Sequence, residues 1–167
     1  AKAVAEAASK VQGVSKVLVS TSDAFSALLA EPIAPLIESL VKSKSYTHVV
    51  AGHTAVGRDI IPRAAVCLDS SQVSDIIEVQ GEDTFVRPIY AGNALATVMS
   101  KDGVKVVTVR GTAFDAASAE GGSASVEEVD AGEVPQPPKL VQEKMSESTR
   151  PALATASRVV SGGRALK

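Results

Sequence analysis

Up to Leu68, the hydrophobic positions of the chain alternate between helical and strand-like spacing. Three segments place apolar residues three and four positions apart, which is the pattern of a helix buried on one side. Two short apolar runs between them are typical of buried strands. Alternation of this kind predicts a parallel sheet with right-handed helical crossovers. The helical segments are Val4–Val11, Ile33–Val41 and Ile60–Leu68, and the strand-like runs are Lys16–Ser20 and Tyr46–Ala51.

Glycine and proline mark the ends of these elements. Gly13 is placed to end the first helix, and Gly52 closes the second strand. Pro32 suits the first turn of the second helix, where its missing N–H has no intrahelical partner to lose. Pro62 is compatible with the third helix only near its start, because an interior proline removes a hydrogen bond and clashes with the preceding turn.

After Leu68 the pattern changes to four strand-like runs with almost no room for helices. Gly92-Asn93 and Asp102-Gly103 are short-turn signals, so we expect the last three runs to form antiparallel hairpins. The predicted fold class is therefore α/β, a parallel sheet flanked by helices with an antiparallel β extension. The four runs are Val73–Gln80, Phe85–Ala91, Ala94–Ser100 and Val104–Arg110.

The charge is unevenly spread along the chain. The 167 residues carry 17 Lys and Arg against 19 Asp and Glu, a net charge of −2. Between Asp115 and Thr149, however, eight acids face only two bases, Lys139 and Lys144. This stretch also contains Gly121-Gly122 and three closely spaced prolines, so its composition predicts a solvated loop and linker.

Composition excludes several classes of protein. The single Cys67 cannot form an internal disulfide or a multi-cysteine metal site. Aromatic residues make up 3% of the chain, and the net charge is slightly negative, so we expect no nucleic-acid partner. No apolar run approaches the roughly 18 residues of a membrane span, so we expect no membrane insertion.

Both ends of the chain predict a fragment. The chain opens on a helix, although an α/β unit normally starts with a strand. It closes with a strand-like run and a Gly-Gly turn at Arg158–Lys167, where a helix would be expected to follow. We therefore divide it into an N-terminal α/β domain whose first strand is missing, a Pro-rich acidic linker and the truncated start of a second domain. The boundaries are 1–130, 131–155 and 156–167.

The two histidines and the segment Gly52–Gly57 do not form a recognisable set of catalytic residues. His48 lies within a strand pattern and is expected to be a packed or edge residue. His53 follows a parallel strand, where open α/β sheets gather their ligands. Its segment, Gly52–Gly57, is either a tight strand-to-helix turn or a cradle for a phosphate, but it is neither a Walker A motif nor a dinucleotide-binding fingerprint.

Three further positions are candidates for chemistry. Cys67 is expected to be a small buried hydrophobe, because a reactive thiol requires a basic neighbour. Arg110-Gly111-Thr112 either pairs with the acidic stretch or marks a turn. The best candidate is Ser161-Gly162-Gly163-Arg164, since small residues after a strand let the backbone approach a ligand while the arginine pairs with a phosphate or an anionic ring.

Several motifs in order resemble the α subunit of electron-transfer flavoprotein, in its mitochondrial and related bacterial form. The resemblance covers essentially the whole chain. The segments that carry it are Ser74–Ile77, Thr84–Val98, Val109–Ala117, Gly121–Ser125 and Val159–Arg164.

The resemblance implies a heterodimeric electron carrier rather than an enzyme, with a three-layer N-terminal domain of the adenine-nucleotide-hydrolase-like kind. It implies FAD as cofactor, with Gly162, Gly163 and Arg164 among its contacts and AMP in the β subunit rather than here. The implied partners are the β subunit, acyl-CoA dehydrogenases and the electron-transfer flavoprotein–ubiquinone oxidoreductase. The implied location is the mitochondrial matrix, or the bacterial cytoplasm for a prokaryotic source. Two alternatives stay open: a stand-alone adenine-nucleotide-binding module using Gly52–Gly57, and a bare interaction module.

Overall fold

The computed structural model describes residues 1–132, 141–142, 144, 150–151, 153 and 156–166. These residues form three helices and eight strands, joined in places by short 3-10 turns. The helices are α1 (Lys2–Ser9), α2 (Ala30–Lys44) and α3 (Ala55–Cys67), and the strands are β1 (Lys16–Val19), β2 (His48–Gly52), β3 (Gln72–Ile76), β4 (Glu78–Val79), β5 (Thr84–Ile89), β6 (Ala94–Met99), β7 (Lys105–Val109) and β8 (Ser125–Glu128). The α/β class and the flanking helices are confirmed.

Helix α2 has the charge pattern that its dipole favours. Glu31 lies in its first turn, and Lys42 and Lys44 lie in its last turn. Pro32 is also in the first turn, as predicted. Ser45 ends the helix in the left-handed conformation, with φ of 55°.

Helix α3 begins five residues before the apolar stripe that predicted it. The side chain of Thr54 caps its N-terminus by accepting a hydrogen bond of 3.2 Å from the N–H of Gly57. Pro62 consequently lies in the middle of the helix, and the expectation that it sits near the start is wrong. Proline has no N–H, so the carbonyl of Arg58, four residues earlier, has no donor within the helix. The helix tolerates this because Pro62 and Arg58 are both exposed.

The strands form three sheets among the described residues. A parallel pair contains β1 and β8, a parallel three-stranded sheet has the order β2-β7-β3, and an antiparallel sheet has the order β4-β5-β6. The hairpin of β5 and β6, which turns at Tyr90–Gly92, confirms the prediction for those two runs.

The prediction for β7 is wrong, because this strand does not form a hairpin with β6. It lies instead between β2 and β3, parallel to both. Val106, Val107 and Thr108 are all almost completely buried. A run that is apolar on both faces is typical of a central parallel strand, and only the centre of the sheet covers both faces.

The predicted single strand Val73–Gln80 is two strands in different sheets. Asp75 has a φ of 60°, and the pairing register of β3 with β7 shifts between Val73 and Ile76. The chain leaves the parallel sheet after Ile76 and enters the antiparallel sheet at Glu78. An irregularity of this kind bends a strand, which redirects the chain toward the second sheet.

The acidic stretch is not solvated linker throughout. Residues Ser125–Glu128 form β8, which pairs in parallel with β1. Glu127 accepts hydrogen bonds from Lys16 and Lys44, and Glu128 accepts one of 2.7 Å from Thr21. Most of the predicted linker at 131–155, including Pro135, Pro137 and Pro138, lies outside the described residues.

The core joins the two larger sheets to α3. Ile76 and Val107 of the parallel sheet pack with Phe85 of the antiparallel sheet. On the other side, Ile61 and Ala65 of α3 pack against Val106. This packing holds the carboxyl ends of β2, β7 and β3 in a fixed relation to β5.

The predicted strand beginning at Arg158 does not form among the described residues. Positions 158–163 have no strand assignment, and the side chain of Val160 is fully exposed. A strand requires a neighbour to pair its backbone groups, and the described part of the chain provides none here.

Candidate functional site

The carboxyl ends of β2, β7 and β3 bring polar side chains together at one edge of the parallel sheet. His53 follows β2, and its backbone N–H donates a hydrogen bond of 2.8 Å to the carbonyl of Val109 at the end of β7. Thr108 belongs to β7, and Asp75 lies in the irregular part of β3. Open α/β sheets bind their ligands at this edge, so these residues form a candidate site.

The buried hydroxyl of Thr108 organises this edge. Its Oγ1 accepts hydrogen bonds from the backbone N–H of Asp75 at 3.0 Å and from Nε2 of Gln72 at 3.4 Å. It also lies 2.9 Å from Nδ1 of His53. Since the other two partners are both donors, the hydroxyl proton is directed to Nδ1 of His53. In the neutral ring the remaining proton is then on Nε2, which is a donor.

Asp75 is engaged by Arg110 through two hydrogen bonds. Nε of Arg110 donates to Oδ1 at 3.1 Å, and Nη2 donates to Oδ2. The pKa of Asp75 is lowered, first by the hydrogen bond from Arg110 and less by the charges of Arg110, His53 and Arg87, against an opposing effect of burial. Arg110 was expected to pair with the acidic stretch or to mark a turn, and its partner is instead Asp75 of β3. A 3-10 turn does follow it at Gly111–Ala113.

The segment Gly52–Gly57 has the geometry of a tight strand-to-helix turn. A Cβ on Gly57 would lie 2.1 Å from the carbonyl oxygen of Gly52, so the two glycines approach each other rather than surrounding a space. Thr54 closes the turn by capping α3. This packing favours the turn interpretation over a phosphate cradle built from the glycines.

His48 and Cys67 lie away from this edge. His48 is an exposed strand residue whose Nε2 lies 2.6 Å from the carbonyl oxygen of Glu82 and whose Nδ1 lies 2.8 Å from Oγ1 of Thr47. It is therefore an edge residue, as expected. Cys67 ends α3 as a free thiol and is only half-buried, so the expectation of a buried position is wrong.

A cleft of about 340 Å³ opens beside the sheet edge. Two of the charged residues that line it, Arg58 of α3 and Arg87 of β5, were not singled out by sequence reasoning. Nothing local in the sequence distinguishes them from other surface arginines, because α3 and β5 meet only through the packing of the two sheets. The cleft is lined by His53, Arg58, Pro62, Gln72, Ser74, Asp75 and Arg87.

The sequence-predicted site at Gly162-Gly163-Arg164 is separate from this cleft. All three residues are exposed, and the N–H of Leu166 donates a hydrogen bond of 3.0 Å to the carbonyl of Gly163. A Cβ on Gly163 would meet nothing within 4 Å, whereas one on Gly162 would lie 2.7 Å from Cδ1 of Leu166. Within the described part of the chain, no hydrogen bond or ion pair joins Arg164 to the sheet-edge residues.

The described residues have neither a metal-type cluster nor a membrane-spanning helix. They contain no group of three or more His, Cys, Asp or Glu side chains placed to hold a metal ion. None of the helices that these residues form has the length and apolar character needed to cross a membrane.

Parallel strands covered by helices and joined to an antiparallel sheet define a three-layer α/β domain. The carboxyl ends of its parallel strands form the edge at which such domains bind ligands. Residues 1–134 match the family model described as "Electron transfer flavoprotein domain", and the chain belongs to that family. The resemblance found in the sequence is thereby confirmed.

Individual relatives agree with this assignment. The chain is 53% identical over 167 residues to "Probable electron transfer flavoprotein subunit alpha, mitochondrial" of Cryptococcus neoformans var. grubii, covering 98% of this chain and 48% of the relative. It is 53% identical over 165 residues to "Electron transfer flavoprotein subunit alpha" of Pseudomonas aeruginosa, covering 99% and 53%. The protein of the same name from Paracoccus denitrificans is 47% identical over 166 residues, covering 99% and 53%. The chain spans about half the length of these curated relatives.

Proposed function

We propose that this chain is the N-terminal part of the α subunit of a heterodimeric, FAD-containing electron carrier. The carrier accepts electrons from acyl-CoA dehydrogenases in fatty-acid oxidation and passes them to an electron-transfer flavoprotein–ubiquinone oxidoreductase. The observation that carries this proposal is the 53% identity, over 98% of the chain, to a protein named as an electron transfer flavoprotein α subunit.

Gly162, Gly163 and Arg164 are the residues of this chain that would hold FAD. Their surroundings fit such a group: the guanidinium of Arg164 is exposed, and the backbone at Gly163 is open to approach. An arginine provides a planar, permanently charged set of donors that matches phosphate oxygens. When bound, FAD supplies the electron-accepting and electron-donating chemistry, while the residues of this chain bind and orient it.

The N-terminal domain serves as a scaffold that contacts the β subunit, in which we place the AMP. The outer side of the antiparallel sheet offers an apolar surface for this contact. Leu95 and Met99 alternate to one face of β6 and are 64% and 59% exposed, and Tyr90 beside them is 79% exposed. Exposed apolar groups clustered in this way are typical of an interaction surface.

The proposed location is the mitochondrial matrix, or the bacterial cytoplasm if the source is prokaryotic. The fungal relative is named as mitochondrial, whereas the relatives from Pseudomonas and Paracoccus are bacterial proteins.

Co-expression of the full-length α subunit with its β partner tests the proposal. We expect a heterodimer by size exclusion with light scattering, one FAD per heterodimer by absorbance, and reduction of that FAD by an acyl-CoA dehydrogenase and its substrate. A monomeric α subunit, or a flavin that the dehydrogenase does not reduce, would contradict it. The 167-residue chain alone is expected to hold no stoichiometric FAD, and clear AMP binding by this chain alone would favour the nucleotide-binding alternative.

A further inference from the structure

We propose that the cleft beside the carboxyl ends of β2, β7 and β3 is a binding site for the phosphate group of a small molecule. Arg58, Arg87 and His53 provide the donors. The site is distinct from the flavin contacts proposed at Gly162–Arg164, and it depends neither on FAD nor on electron transfer.

Arg87 carries a buried donor that has no acceptor in the described residues. Its Nε is shielded from solvent and makes no hydrogen bond there. Arg87 lies on the same face of β5 as Phe85, which packs into the core between the two sheets, so its position is set by that packing. Leaving a buried charged donor unpaired is strongly unfavourable, and the negative charge of an anion bound to this guanidinium in the cleft would offset that cost.

Arg58 adds a second positive charge at an unfavourable place in its helix. It lies close to the N-terminus of α3, where the helix dipole favours anions and disfavours cations. Within the described part of the chain it has no carboxylate partner. An anion bound in the cleft would interact favourably with both the guanidinium and the helix N-terminus.

The acid of the cleft does not neutralise these arginines. Both carboxylate oxygens of Asp75 accept hydrogen bonds from Arg110, which is not among the residues that line the cleft. The pair of Asp75 and Arg110 is therefore close to neutral as a unit. Arg58 and Arg87 are the cationic residues of the cleft that form no ion pair in the described residues.

His53 contributes an N–H donor on the same side. Its Nδ1 accepts the hydroxyl proton of Thr108, which places the ring proton on Nε2, the nitrogen directed away from Thr108. Two guanidinium groups and one imidazole N–H, supplied by three different elements, suit a tetrahedral oxyanion better than a flat carboxylate, which a single guanidinium satisfies. The volume of about 340 Å³ is at the lower end of small-molecule sites, so a phosphate with a small organic group fits.

Equilibrium dialysis with radiolabelled inorganic phosphate tests this site in the full-length protein, purified with its FAD and partner subunit. Chloride holds the ionic strength constant, so that general screening of surface charge does not change. We expect saturable binding to the wild type. Arg58→Gln and Arg87→Gln should each weaken that binding about tenfold or more, since each removes a charge-assisted contact. The matched control is Arg63→Gln, on the same helix but paired with Glu31 outside the cleft, and it should bind like the wild type.

With two variants, the test remains decisive even if one of them does not fold. Arg58 is exposed and its side chain makes no hydrogen bond or ion pair in the described residues, so Arg58→Gln is expected to fold even if Arg87→Gln does not. Absence of saturable phosphate binding to the wild type anywhere in the millimolar range would overturn the proposal. Equal weakening by Arg58→Gln and Arg63→Gln would also overturn it, because binding would then follow surface charge rather than the cleft. FAD content, measured on the same samples, reports separately on the proposed electron carrier.

Discussion

Nζ of Lys16 donates a hydrogen bond of 2.8 Å to Oε2 of Glu127, and this ion pair joins the two strands of one sheet across 111 positions of the chain. Nζ of Lys44 lies 3.3 Å from the other carboxylate oxygen of Glu127. One acidic residue therefore links β1, β8 and the end of α2. This link belongs to a stretch that composition alone assigned to solvated linker.

The ion pair predicts a particular pH dependence of stability. The pKa of Glu127 lies below its usual value of 4.5, because Lys16 and then Lys44 hydrogen-bond to the charged form. Its stabilising effect is present above about pH 4.5 and is lost as the pH falls through the lowered pKa of the folded state. Glu127→Gln should therefore lower the thermal midpoint at pH 7, and the difference from the wild type should shrink as the solution is acidified.

Glu120→Gln is the control for this measurement. Glu120 belongs to the same acidic stretch, but its carboxylate makes no ion pair in the described residues. A midpoint difference for Glu127→Gln that is unchanged from pH 7 to strongly acidic solution would show that its charge is not responsible.

Thr108→Val tests the hydroxyl that organises the sheet edge. The two side chains have nearly the same shape, but valine leaves the N–H of Asp75 and Nδ1 of His53 without their partner. Losing a buried hydrogen-bond partner costs about 1–3 kcal/mol, so we expect the free energy of unfolding in urea to fall by that amount. Thr97→Val, on the exposed side of β6, should change it by less than about 0.5 kcal/mol. Equal effects of the two substitutions would contradict the role assigned to Thr108.

Gly57→Ala tests the tight turn between β2 and α3. In a helix this substitution normally stabilises by about 1 kcal/mol. Here the added Cβ would lie 2.1 Å from the carbonyl oxygen of Gly52, and backbone must move to admit it. We expect destabilisation of about 1–3 kcal/mol in urea unfolding. Gly103→Ala, which meets nothing within 4 Å, should be close to neutral, and a stabilising Gly57→Ala would contradict the close approach.

Arg164→Ala tests the proposed flavin contact in the full-length heterodimer. Loss of a charge-assisted hydrogen bond costs about 1.5–3 kcal/mol, or about one to two decades in FAD affinity. Arg164→Lys should be milder without being silent, because it keeps the charge and loses the planar fork. The measurements are the FAD dissociation constant and the midpoint potential of the bound flavin. Arg158→Ala is the control, and wild-type values of both quantities in Arg164→Ala would show that the residue does not touch the flavin.

Local periodicity was sufficient to locate most elements of this fold. The spacing of apolar residues placed α1, α2 and β1 close to their observed bounds, and Gly92-Asn93 marked the turn of the β5–β6 hairpin. These features depend on neighbours within a few positions, which the sequence displays directly. The family motifs were equally visible, because they are contiguous.

The sequence alone did not determine which strands pair. Val104–Arg110 has the same strand pattern whether it pairs with β6 or enters the parallel sheet. Periodicity predicts that a segment is a strand, but it does not predict which strand it pairs with. The choice came from burial: β7 is apolar on both faces, and only a central position covers both. Likewise, the acidic residues of 125–128 predicted linker, whereas this segment is strand β8, which pairs with β1.

Tertiary structure likewise determined which residues line the cleft. Arg58 is on a helix and Arg87 is on a strand of another sheet, and each is an ordinary arginine in its own sequence context. They line one cleft because Phe85 packs against Ile76 and Val107, and because Asp75 bends β3 at that point. Distances between residues remote in sequence arise from this packing, which is why the sequence by itself showed His53 but neither arginine.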